Sequence, residues 1–374
     1  MKISKENVLE SKNLIDLAKL IINSPFINTN KAYDTLNSYI KKAEFESNYK
    51  DFINFFEKRG LGHDVVKKYI IKTFEEYNCI DLLNIILLSD GIITLNDLKN
   101  GNNLIDVFNN CVSNVSVSTN HLKNLNIKDE DINNIFKDLY FFGGKYGSVT
   151  SGKGEFLLRL ILKDVNMQGV KDVDIKISNN RMEIKAPDGH PKGYYSPAST
   201  FDLCTKILEF IPEKLEGNYN DCLLGSKTLN KTIKKNNNEK IKIYEILKKY
   251  PDAIIKALIY QYTCQQGKGE IDVKINEEYF IKLFKDLIIN VSSADQFRDM
   301  IGTIQMFLYK ETVNFDSFIF INKSKDTGDF SYKYFDNDSF KVENIYNTFE
   351  FNNLSKSKND NTVKIKKLKN GNNY

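Results

Sequence analysis

The stretch DVDIKISNNRMEIKAP, residues 172–187, alternates apolar and polar residues on both sides of a polar centre. A period of two is the mark of a half-buried strand, and two turn-forming residues between two such runs predict a β-hairpin. With Asn179–Asn180 as the turn, Ile177 faces Met182 and Ile175 faces Ile184, so four apolar side chains share one side. The other side then carries Lys176 opposite Glu183 and Asp174 opposite Lys185. Burial of the apolar set holds the register, because slipping one strand by a single residue exchanges its two faces. The hydrophobic pattern therefore gathers Asp174, Glu183 and Lys185 into one patch. The competing reading is a solvated face whose acids and bases pair across the strands.

Two carboxylates beside an amine have a chemical use. Carboxylate oxygens suit Mg²⁺, and Mn²⁺ accepts the same ligands. Such an ion activates water and stabilises charge on a phosphate under attack, while the Lys185 ammonium orients the water or holds a phosphate oxygen. A third acid stands upstream in GSVTSGKGEFLLRLILKD, residues 147–164, where an apolar helix over 154–164 is expected to carry Glu155 near its start. Gly147, Gly152 and Lys153 also begin a phosphate-binding loop. That loop needs Ser or Thr after its lysine, and Gly154 stands there instead.

Glu155, then Asp174, then Glu183-Ile184-Lys185 resembles the PD-(D/E)xK nuclease superfamily, in which a helix bears Glu, a strand bears Asp and a second strand bears ExK. Val173 stands where the family's name has Pro. The resemblance covers residues 145–187, and more weakly 293–335, where Gln305-x-x-x-Tyr309 is similar to the QxxxY motif of the exonuclease branch. It implies an α/β/α core and metal-dependent cleavage of DNA. Glu155, Asp174 and Glu183 would be metal ligands, Lys185 the catalytic amine, and Gln305 and Tyr309 contacts to DNA. Lys153, and His190 and Lys192 of DGHPKGYYSP, are further candidate phosphate contacts. ExK alone carries little weight in a lysine-rich chain, since Glu10-Ser11-Lys12 matches it too.

The remaining sequence frames this patch. Residues 1–140 read as all-helical, with apolar stripes in NVLESKNLIDLAKLII, YKDFINFFEKRG and GHDVVKKYIIKTFEEY. The expected class is α+β, with a helical domain over 1–140 and a nuclease-like core over 141–350. That core has a mixed sheet with a central hairpin, a helical insertion near 199–290, and late strands from FDSFIFIN and DFSYKYFD. A short strand is also expected in EIDVKI, residues 270–275. Residues 351–374 read as a basic, flexible tail: from Leu354 the local charge is +5 in a chain whose total is +4. Such a tail suits weak, salt-sensitive contact with nucleic acid.

Five scattered cysteines and three histidines fit reduced thiols better than disulfides or a zinc site. No apolar run reaches the length of a membrane span and no signal peptide precedes the first helix, so an intracellular, cytoplasmic protein is expected. Four arginines against many Lys, Asn and Ile suggest an A- and T-rich genome, of a bacterium or its phage. The alternative function is a structural or DNA-handling phage protein, present in the virion, with a nuclease-like core, no cleavage, and residues 1–140 as an assembly surface.

Overall fold

The computed structural model describes residues 46–115, 128–146, 149–170, 173–189, 203–211, 232–235, 239–265, 269–270, 274–323, 329–352 and 364–369. The helix expected over 7–22, and His190 and Lys192, lie outside the described residues.

A four-stranded mixed sheet organises the chain. Its strands are β1 (Ile175–Ile177), β2 (Asn180–Lys185), β3 (Ser317–Lys323) and β4 (Phe330–Phe335), in the spatial order β1-β2-β3-β4. β1–β2 and β3–β4 are antiparallel, and β2–β3 is parallel with Glu183 beside Phe318 and Lys185 beside Phe320. Parallel neighbours need a long crossover, which the chain between residues 186 and 316 supplies. The hairpin is not central: it contributes one edge strand and one inner strand.

The turn also differs from expectation. It is Ser178–Asn179, with Ser178 at φ 51°, while Asn180 opens β2 and accepts a 2.6 Å hydrogen bond from the Ser317 hydroxyl of β3. Ile175 therefore faces Met182, and Lys176 faces Arg181 rather than Glu183. Moving a two-residue turn by one position shifts every partner by two, which changes the pairs but leaves each side chain on its own face.

Helices cover both faces. Before the hairpin come α1 (Glu46–Lys58), α2 (Asp64–Glu76), α3 (Ile80–Leu88), α4 (Leu95–Asn100), α5 (Leu104–Asn114), α6 (Asp129–Phe141) and α7 (Glu155–Ile161). After it come α8 (Leu203–Phe210), α9 (Ile243–Leu247), α10 (Pro251–Thr263), α11 (Glu277–Ile289), α12 (Ala294–Val313) and α13 (Val342–Thr348). The first group packs on the apolar face of the hairpin. Ile175, Ile177, Met182, Ile184, Ile319 and Ile321 share one buried cluster with Phe56, Ile70, Leu83, Phe108, Phe136 and Leu157. The second group packs on the opposite face, where Phe318, Phe320 and Phe335 join Leu258, Phe284, Ile304 and Leu308. Alternate residues of β3 thus enter two cores, which accounts for its unbroken apolar run FIFI, residues 318–321.

Several expected boundaries move. Residue 140 does not separate two cores, because α1–α6 form one layer over the sheet. The helix expected over 154–164 ends at Ile161, where the chain straightens: Leu162 bridges Ile93, and the Ile92 and Ile93 N–H groups both donate to the Ile161 carbonyl. Near 270, Gly269–Glu270 pairs with Cys264–Gln265, while residues 271–273 of the expected strand lie outside the described residues. The C-terminal segment is not a free tail throughout. Ile365–Leu368 pairs with Phe349–Phe351, Ile365 is fully buried, and Lys366, Lys367 and Lys369 are engaged by Glu350 and Asp299. Lys366 and Lys367 share Glu350 and stay nearly half exposed, while Lys369 pairs with Asp299. Among the described residues no helix is long and apolar enough to cross a membrane.

Helix α12 runs from a Ser293 cap to Asn314 in the left-handed region at φ 56°. It lies so close to the Phe349–Phe351 strand that a Cβ on Gly302 would stand 2.4 Å from the Phe351 ring, which is fully buried. Gly302→Ala gains about 1 kcal/mol of helix propensity. Forcing that ring aside in a filled core costs about 1–3 kcal/mol, so a net loss is expected, read as a lower urea midpoint with unchanged slope.

Candidate active site

The polar face of β2 meets the side of α12. Glu183 is 3% exposed, and its Oε1 accepts from both the Lys185 ammonium and the Tyr309 hydroxyl. Lys185 also donates to the Ile184 carbonyl at 3.2 Å, stands 3.8 Å from Asp174 Oδ2, and lies 5.2 Å from the centre of the Tyr309 ring. Asp174 Oδ2 accepts from the Ile184 backbone N–H at 2.9 Å, which ties the residue before β1 to the middle of β2. The solvated hairpin face is thereby excluded for Glu183, because α12 closes over it.

Glu155 begins α7 directly after Gly154, which has φ 81°. Its carboxylate is turned back on its own loop: Oε1 accepts from the Gly152 N–H at 2.6 Å and Oε2 from the Ser151 hydroxyl at 3.1 Å. The link to Asp174 is Arg159, one turn along α7. Its Nε and Nη2 both donate to the Asp174 carbonyl, at 3.0 and 2.9 Å, and Nη2 is 3.5 Å from Glu155 Oε2. Arg159 lies outside the acid–acid–ExK pattern. Its signal was available, as one of four arginines placed four residues after a helix-borne acid.

Electrostatics mark the cluster. Burial first, then the charge of Asp174, raises the Glu155 carboxyl to about 7 despite Arg159. The same two causes raise Glu183 to about 8 against the pull of Lys185. Lys185 is held well above its ordinary range by Glu183 and Asp174, which outweigh its own burial. Burial and Glu183 likewise push the Tyr309 hydroxyl up. Three acids thus face two bases in a poorly hydrated place, and such perturbation is common where charge is used.

Gln305 and Tyr309 part company. Tyr309 is 2% exposed and bonds to the glutamate of the ExK motif. Gln305 is fully buried between helices, donating at 3.1 Å to Gln261 of α10, and has no surface to offer DNA. Lys153 is exposed on the loop before α7, two residues from Glu155.

Hard, oxygen-seeking ions fit the donor types present. Asp174 and Glu183 are neighbours, and Mg²⁺ needs only one or two protein carboxylates besides water. Among the described residues, no three carboxylates, imidazoles or thiols stand close enough to form a ready cluster, since Glu155 is turned towards Ser151 and Gly152. The chain matches no family model, no curated protein and no solved structure.

Proposed function

We propose that the chain is a metal-dependent nuclease of the PD-(D/E)xK kind, hydrolysing phosphodiester bonds of DNA. One observation carries this reading: within residues 155–185 a strand acid and an ExK pair come together on a mixed sheet layered by helices, and Arg159 links them to a helix-borne acid. Asp174 and Glu183 would hold Mg²⁺ or Mn²⁺, with Glu155 joining them on leaving its loop. When bound, the ion supplies an activated water and charge stabilisation at the phosphate. The Lys185 ammonium beside Glu183 would hold a phosphate oxygen or orient the attacking water. Tyr309 keeps Glu183 in place, and α12 keeps bulk water from it.

A different observation favours a non-cleaving, DNA-handling protein: Glu183 is already buried and satisfied by two donors. Cleavage decides between them. Linear and circular DNA, and an RNA of the same sequence, are incubated with Mg²⁺ or Mn²⁺ and either the parent or Glu183→Gln/Lys185→Met. Cleavage by the parent that the variant lacks is the expected result. An intact substrate under every condition, or equal cleavage by both proteins, would remove the enzyme reading. Loss of circular as well as linear DNA would mark an endonuclease.

A further inference from the structure

The last residue of α6 is exposed where a buried one would be expected. Phe141 is 54% exposed, while Tyr140 beside it is buried and Phe142 stacks on Tyr69 with ring centres 3.8 Å apart. Two ammonium groups flank its ring, Lys153 at 5.9 Å and Lys323 at 5.7 Å from the ring centre. They come from separate elements, the loop before α7 and the end of β3. Lys137, one turn earlier on α6, is near enough to act on Lys323, whose ammonium is held below its ordinary value by partial burial and then by that like charge. Asp138, the acid that opposes this, has its carboxylate engaged by the Tyr77 hydroxyl at 2.9 Å. The result is a half-exposed aromatic ring, edge-on to Tyr140, with lysines from three elements around it.

Its position matters. Lys323 lies three residues beyond Phe320, the partner of Lys185, hence about 10 Å further along the parallel strands. Lys153 is two residues before Glu155, on the loop whose Gly152 N–H binds that acid. Lys323 shares the parity of Ile319 and Ile321, so the patch lies on the sheet face covered by α6 and α7, beside the loop that carries Glu155 and across the sheet from Glu183 and Lys185.

An exposed ring offers a stacking surface that any unpaired base can use, and flanking ammonium groups suit the phosphates on either side. Within a duplex the base faces are already stacked on each other, so this surface favours single strands. We propose that Phe141 is a stacking platform for an unpaired nucleobase, with Lys153, Lys323 and Lys137 holding adjacent phosphates, so that a single strand is led towards Glu155. This rests on the nucleic-acid substrate proposed above.

Binding without cleavage tests it. Fluorescein-labelled oligothymidylate of about twelve nucleotides, within the usual site size, is titrated with the full chain in EDTA and followed by anisotropy. Phe141→Ala is expected to weaken binding roughly tenfold and Phe141→Trp to preserve it. Lys153→Ala/Lys323→Ala should reduce the slope of log K against log salt by about 1.4, or 0.7 per lost contact on a single strand. A duplex of equal length should bind more weakly and be insensitive to Phe141→Ala. Unchanged affinity of Phe141→Ala for the single strand would overturn the platform, as would an equal loss for single strand and duplex. The two readings fail separately. A parent that binds in this pattern yet cleaves nothing keeps the platform and loses the nuclease. One that cleaves, with Phe141→Ala binding as tightly, does the reverse.

Discussion

Lys185→Met is expected to destabilise the folded chain by about 3–5 kcal/mol at pH 9 and by much less at pH 5. The stem of Lys185 is replaced at similar length, so packing changes little, but Glu183 loses its cation. At pH 9 the parent holds an ionised, buried Glu183 against Lys185. In the variant that carboxyl keeps only the Tyr309 hydroxyl and faces Asp174, so at pH 9 it must stay an unpaired buried charge or take up a proton that the unfolded chain does not hold, and either is costly. At pH 5 Glu183 holds its proton in both proteins, and the variant forfeits a hydrogen bond and the attraction to Asp174. Glu183→Gln/Lys185→Met should recover most of the loss, because neither charge remains to be buried. Urea unfolding of the three proteins at both pH values measures this. An equal loss at pH 5 and pH 9, or a double variant as unstable as the single, would exclude charge burial as the cause.

Thermal unfolding of the parent without divalent cations should move to lower temperature between pH 5 and pH 9. Glu155 and Glu183 ionise near 4.5 when unfolded but near 7 and 8 when folded. A carboxyl whose folded value is raised favours the folded state while it keeps its proton. Its contribution is complete below about pH 4.5 and is lost as pH climbs through 7 and 8. Each unit is worth about 1.4 kcal/mol. The groups are coupled through Asp174, so the total is taken as about 2–4 kcal/mol, well below the separate sum. Glu155→Gln/Glu183→Gln should flatten the slope. Mg²⁺ or Mn²⁺ at pH 8 should raise the parent's midpoint by binding the ionised, folded form alone. A midpoint that rises from pH 5 to pH 9, or one unmoved by the double variant, would contradict the raised carboxyls.

The alternation in residues 172–187 was enough to place Asp174, Glu183 and Lys185 together, even though the turn lies one residue earlier than the pair of asparagines suggests. Parity survives such a shift and partners do not. The chain resolved the choice of turn through a long-range bond, Ser317 to Asn180, which no local pattern contains. Glu155 was legible as an acid opening an apolar helix. Its orientation was not, because the carboxylate is claimed by Ser151 and Gly152 once the Gly154 turn is made. Gln305 and Tyr309 share one motif and one helix, yet α10 covers the first and the second reaches across 126 residues to Glu183.

Local regularity thus determined the elements, the faces of the hairpin and the chemistry of the side chains, because period and turn preference act between near neighbours. Only tertiary packing decided that helices 46–141 and the hairpin build one core, that Glu183 is dry and Arg159 braces Asp174, and that part of the basic C-terminal segment is a paired strand. Burial and ion pairing depend on which surfaces meet. Those contacts join residues a hundred or more positions apart, so their free energy leaves no periodic trace in the chain.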